Sequence, residues 1–205
     1  MKPVFIHISK NAGTSVVRAA GEHIFNPGHH TAASWVAVYG QVAPMFAVIR
    51  NPYDRVVSEY FFRKQRYYRG DRTAHLANLN KSFEEWTVST YGEGEFCTRE
   101  FFNRNDIDFN SHNMVGDTLR WFISQTQWLC DENGDLLVDD LLRFENLDED
   151  LALFFKKYRI PAGLDHHNAS SRRSDYRGYY SKETRELISE YYADDFQNFG
   201  YTFGG

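Results

Sequence analysis

Apolar residues fall along this chain in short continuous runs and in runs spaced at helical intervals, and the two kinds alternate. Pro3 to Ile8 is short and continuous, which predicts a buried strand. Ser9-Lys10-Asn11-Ala12-Gly13 breaks it, and from Thr14 onward Val16, Val17 and Ala20 recur as on one helix face. A further helix is expected from Thr31 to Val38. Met45-Phe-Ala-Val-Ile49 predicts a second buried strand, and Asn51-Pro52 opens a helix whose inner face carries Val56, Val57, Tyr60 and Phe61. Residues 70–126 are richer in polar and aromatic side chains and predict a helical insertion, with helices around Ser82 to Thr90 and Asp117 to Ser124. Leu136-Leu-Val138 predicts a strand, Asn146 to Tyr158 a helix, and Ser181 caps a final helix striped by Leu187, Ile188, Tyr191 and Tyr192. Alternating strands and helices imply a single α/β domain over residues 1–205, with a central, mainly parallel sheet flanked by helices in three layers. Ligands of such folds lie beyond the carboxyl ends of the strands.

Composition narrows the functional classes. The chain has 205 residues, is 42% apolar and 17% aromatic, and so has enough apolar material for a core. Its net charge of -5 argues against a general nucleic-acid binder, which needs a basic excess. No run reaches the ~18 apolar residues of a membrane span, and no signal-type apolar segment follows Met1, so a cytoplasmic protein without a membrane partner is expected. Cys97 and Cys130 lack any metal-type spacing and read as free thiols. Local charge is less even. The segment from Arg50 to Arg72 is basic and predicts a cationic pocket, whereas Asp131 to Asp150 is strongly acidic and reads as a solvated turn and helix start. Leu136 and Leu142 occupy the positions where a calcium loop from Asp131 would need Gly and Glu, which excludes that loop.

Two loops carry candidate chemistry. In the first, Lys10, Asn11, Ala12, Gly13, Thr14 and Ser15 stand where a strand turns into a helix. Gly13 permits close backbone approach, amides of the first helical turn point at an anion, and Lys10 adds a mobile charge. The Lys precedes the Gly by three, unlike the GxxxxGK[ST] loop of P-loop kinases, and no strand-end carboxylate for magnesium is evident. In the second, Arg50 ends a strand and Ser58 lies eight residues on, a span of ~10 Å that suits gripping one phosphate.

Phe5-Ile-His-Ile-Ser-Lys-Asn-Ala-Gly-Thr-Ser15 and Phe46-Ala-Val-Ile-Arg-Asn-Pro-Tyr-Asp-Arg-Val-Val-Ser-Glu-Tyr60 together resemble the two nucleotide motifs of sulfotransferases that use 3′-phosphoadenosine 5′-phosphosulfate, PAPS. Further segments fit in order: Gly28-His-His-Thr-Ala32, Leu137-Val-Asp-Asp-Leu-Leu-Arg-Phe-Glu-Asn-Leu147, His167-Asn-Ala-Ser170, Tyr179-Tyr180 and Phe199-Gly-Tyr-Thr-Phe203. The resemblance is to small bacterial members similar to carbohydrate O-sulfotransferases, and is weakest over 70–126. It implies a P-loop-like fold and PAPS as co-substrate, with Lys10 to Ser15 on the 5′-phosphosulfate and Arg50 with Ser58 on the 3′-phosphate. Where family loops have Pro-Lys-Thr, this chain has Ser9-Lys10-Asn11. By the same likeness, Lys10 stabilises the transferring and leaving groups, and His30 is the candidate base, with His29 its rival. The acceptor would be a hydroxyl of a carbohydrate or another small molecule, near the 70–126 insertion. Arg172 and Arg173 would lie in a loop over the nucleotide. No metal is implied, since the donor is already activated and His29-His30 with His166-His167 lack ligand spacing. The alternatives are a P-loop-type kinase and a non-catalytic nucleotide-binding protein on the same fold.

Overall fold

Three parallel strands, β1 (Val4–Ile6), β2 (Met45–Ile49) and β5 (Asp140–Arg143), lie side by side in the order β1-β2-β5. Val4 pairs with Met45 and Ile6 with Ala47, while Phe46 pairs with Asp140 and Ile49 with Arg143. This computed structural model describes residues 1–68, 81–95, 97–100, 114–115, 117–161 and 175–205. It groups them into two units, one of residues 1–51 with 125–171 and one of residues 52–124 with 172–205.

The first unit holds the parallel sheet, together with helices α1 (Gly13–Ala20), α2 (Ala32–Tyr39), α5 (Gln125–Leu129) and α6 (Leu147–Tyr158). Phe5, Phe46, Val48 and Leu142 share one sheet face and pack with Val16 and Ala19 of α1 and with Leu151, Phe154 and Phe155 of α6. Val4, Ile6, Met45, Ala47 and Ile49 on the other face are equally buried. Burial on both faces explains why β1 and β2 read as continuous apolar runs, whereas in β5 only Leu142 is buried. The α/β class with a parallel sheet flanked by helices is thus present.

The second unit starts with α3 (Pro52–Tyr68), where proline at the first helical position gives up no needed N–H. It continues through α4 (Phe83–Thr87), a π-turn (Val88–Gly92) and a hairpin of β3 (Met114–Val115) and β4 (Thr118–Leu119). Helices α7 (Lys182–Tyr191) and α8 (Ala193–Phe199) follow. Its core is aromatic, built on Tyr53, Tyr60, Trp86, Tyr91, Phe122 and Tyr192. The phenols reach backbone carbonyls: Tyr192 donates to Phe122 O at 2.8 Å and Tyr180 to Tyr53 O at 2.8 Å. Burial pushes both hydroxyls well above the usual tyrosine pKa, so they remain donors.

Three expectations need correction. Asp117 to Ser124 is not a helix. Its backbone is committed to strand-type pairing, with Leu119 N donating to Cys97 O and Arg99 N to Asp117 O, and the helix begins only at Gln125. The strand expected at Leu136 to Val138 lies instead at Asp140–Arg143. Leu136 makes a lone bridge with Cys130, and pairing with β2 begins where Asp139 N meets Met45 O. The helix capped by Ser181 is followed by α8, which Gly200 ends in a left-handed conformation.

Candidate functional site

The carboxyl ends of β1, β2 and β5 release three segments of the first unit: residues 7–12, Arg50 with Asn51, and Phe144 with Glu145. In the first of these, Lys10 (φ 68°) and Ala12 (φ 59°) both adopt left-handed backbone. Such geometry costs a non-glycine residue about 1–2 kcal/mol. Ala12 also stands at the N-cap of α1 and brings no side-chain cap. Gly13 is required for a different reason. A Cβ there would lie 1.8 Å from His7 Nε2, so the histidine ring occupies the space of a side chain.

Arg50 is 4% exposed, its guanidinium stacks 3.8 Å over the Phe144 ring, and Nη1 donates to Lys10 O at 2.7 Å. The cation of the second loop is thereby fastened to the backbone of the first. Its main chain is held too. Gln125 accepts from Arg50 N at 2.8 Å and donates to Arg50 O at 2.8 Å, and Glu145 accepts from Asn51 N at 2.7 Å. Asn11 is buried, and its amide faces inward, donating to Val48 O at 2.7 Å and to Gln125 Oε1 at 2.6 Å. Thr14 is exposed and Ser15 half-buried on the first turn of α1. Ser58 is half-buried on α3 in the second unit and is described with that unit alone.

His29 and His30 differ in their attachment. His29 Nδ1 lies 2.8 Å from His7 O, and the two rings are 4.4 Å apart. A carbonyl can only accept, so Nδ1 donates, which in the neutral ring leaves the lone pair on Nε2. His30 is exposed just ahead of α2, where Thr31 is the N-cap and accepts from Ser34 N. His7 itself is pushed down to about 4, first by burial and then by His29, against a raising hydrogen bond with Asn26.

Of the cations expected to form a pocket over residues 50–72, Arg69 and Arg72 fall outside the described residues. Arg55 and Arg63 are buried in the second unit. Arg55 donates to Ile123 O and Trp121 O, while Arg63 pairs with Glu59 and lies 4.9 Å from the Trp121 and Phe122 ring centroids. These arginines bind their own core, because a buried guanidinium must satisfy its donors locally. The acidic stretch is likewise less idle than a solvated face. Asp139 accepts from Met45 N, and Asp140 from Lys157 and Tyr158. Trp35 and Trp86 are core residues. His166, His167, Arg172 and Arg173 fall outside the described residues, within which no His, Cys, Asp or Glu cluster suits a metal and no helix is long and apolar enough to cross a membrane.

Sequence reasoning overlooked Gln125, Glu145, Phe144 and His7. Phe144 and Glu145 stood inside a quoted motif without a role, and His7 stood in the first loop motif. Gln125, in the polar run Ser124-Gln125-Thr126-Gln127, carried no signal. A family model described as "Sulfotransferase family" matches residues 43–202, a stretch that includes Arg50, Ser58, Gln125 and Glu145 and begins after Lys10, His29 and His30. No curated protein matches the chain significantly, and no solved structure does.

Proposed function

Because the chain belongs to the sulfotransferase family, which transfers sulfuryl groups, we propose that it uses PAPS as donor and a hydroxyl of a carbohydrate or other small molecule as acceptor. The observation that carries this reading is the 2.7 Å bond from Arg50 to Lys10 O, which brings two anion-type loops together at the carboxyl ends of β1 and β2. A nucleotide with separate 5′ and 3′ anionic groups needs two such grips, and the first lacks the GxxxxGK[ST] order of a kinase loop. PAPS supplies an activated sulfuryl group. Lys10, the amides of residues 11–14 and the hydroxyls of Thr14 and Ser15 would hold its 5′ end and offset charge on the departing phosphate, and Arg50 with Ser58 would hold the 3′-phosphate. Asn11 would contribute through its backbone, its side chain being engaged inward.

The acceptor oxygen forms a bond to sulfur as the bond from sulfur to the 5′-phosphate oxygen breaks, and the hydroxyl proton passes to a base. His30 is the candidate by resemblance. A second reading, His29, is favoured by its bond to His7 O, which fixes the ring and leaves Nε2 as the accepting atom. Residues 1–205 act as one sulfotransferase domain in this scheme.

Adenosine 3′,5′-bisphosphate should raise the melting temperature, and ATP with magnesium should do so much less, as ligand linkage requires. Equal or reversed shifts would refute the donor assignment.

A further inference from the structure

Neither loop of the first unit is tied down by its own residues alone. Asn11 and Gln125 are both buried, at 1% and 0% exposure, and their side chains meet at 2.6 Å. Gln125 spends the rest of its amide on the second loop, accepting from Arg50 N and donating to Arg50 O. One side chain from the start of α5 thus bonds both nucleotide-type loops, which are 39 residues apart as counted from Asn11 to Arg50. We propose that Gln125 is a positioning residue, a clamp that holds the Lys10 loop and Arg50 in fixed relation so that the 5′ and 3′ anions of one nucleotide are gripped together. The proposal rests on the PAPS reading above.

The chemistry of the amide explains why this residue type serves. Glutamine offers one acceptor with two lone pairs and two donors on adjacent atoms, which matches the N–H and C=O of a single residue and leaves a lone pair for Asn11. A glutamate could not donate to Arg50 O, and a methionine would fill the volume while leaving buried polar groups without partners. Burial strengthens the coupling, since water cannot replace a bond broken inside the protein.

The test compares Gln125→Met and Asn11→Ala with the parent chain, at a temperature where each is folded. Hydrogen exchange on the nucleotide-free proteins should show faster exchange at the Arg50 amide in Gln125→Met and at residues 13–16 in both variants. Unchanged exchange at all of these overturns the clamp. Calorimetric binding should show about tenfold weaker affinity for adenosine 3′,5′-bisphosphate, the scale of one buried hydrogen bond. Binding of 5′-AMP, which engages only the first loop, should fall much less. That difference separates positioning from general destabilisation, which would weaken both ligands alike, and equal losses overturn the proposal. A double variant that loses little more bisphosphate affinity than either single one supports one shared clamp, and fully additive losses count against it. If Gln125→Met does not fold, Asn11→Ala carries the test, because it removes the same 2.6 Å bond. A parent chain that binds neither nucleotide refutes the PAPS reading, and the exchange measurement then decides the clamp by itself.

Discussion

His7 shows how a single side chain can link packing to titration. Its ring fills the space beside Gly13 and lies against His29, and burial holds its pKa down to about 4. In the unfolded chain the same imidazole titrates near 6.5, so the unfolded state binds more protons between these values. Stability from this group is therefore complete above about pH 6.5 and is lost as pH falls toward about 4, with an upper bound of about 3 kcal/mol. Denaturant titrations at pH 7 and pH 5 should show the decline, and His7→Gln should lessen it. An unchanged pH slope in that variant would assign the effect elsewhere. For the base, turnover of His29→Ala and His30→Ala at saturating PAPS is the discriminating measurement. The true base should lose nearly all turnover, by a factor of about 10²–10⁴, while keeping bisphosphate affinity. Full turnover in both variants would remove histidine from the step.

At the scale of elements, the beginnings of helices were legible because capping is a local matter. Ser82 and Ser181 each accept from the amide three residues on, as their sequence patterns foretell. Ser82→Ala should cost about 1 kcal/mol in chemical denaturation, since the bond from Glu85 N to the Ser82 hydroxyl and the bond from that hydroxyl to Glu85 Oε2 are both lost. No change in midpoint would mean that the cap is not engaged in solution. Strands β1 and β2 were legible because both of their faces are buried. The displaced strand near Leu136 and the absent helix at Asp117 had another cause. Both depend on which distant backbone offers partners, namely Met45 for the one and Cys97 for the other, and short apolar runs do not encode that choice.

At the scale of the molecule, the described residues of each unit form a core of their own. The first unit joins sheet and helices through Phe5, Phe46 and Phe154, and the second concentrates the aromatic excess around Trp86 and Tyr192. Phe154→Ala and Trp86→Ala should each cost about 3–5 kcal/mol, because both side chains are almost wholly buried. Losses under 1 kcal/mol, measured by denaturant midpoint, would contradict that packing. The net charge of -5 divides in a way that the sum conceals. Arg55 and Arg63 serve the second core, and Arg50 serves the carboxyl ends of β1 and β2.

The sequence by itself determined the α/β class, strands β1 and β2 and the starts of α1 to α4, α6 and α7, because periodicity and capping act over a few neighbours. Only the tertiary structure decided that Arg50 meets Lys10 O, that Gln125 joins Asn11 to Arg50, that Glu145 holds Asn51, and that His29 leans on His7. Those bonds link residues 22 to 114 positions apart. For the buried bonds among them, partners are set by polar groups that must find each other once water is excluded, a constraint that arises only when the chain is folded.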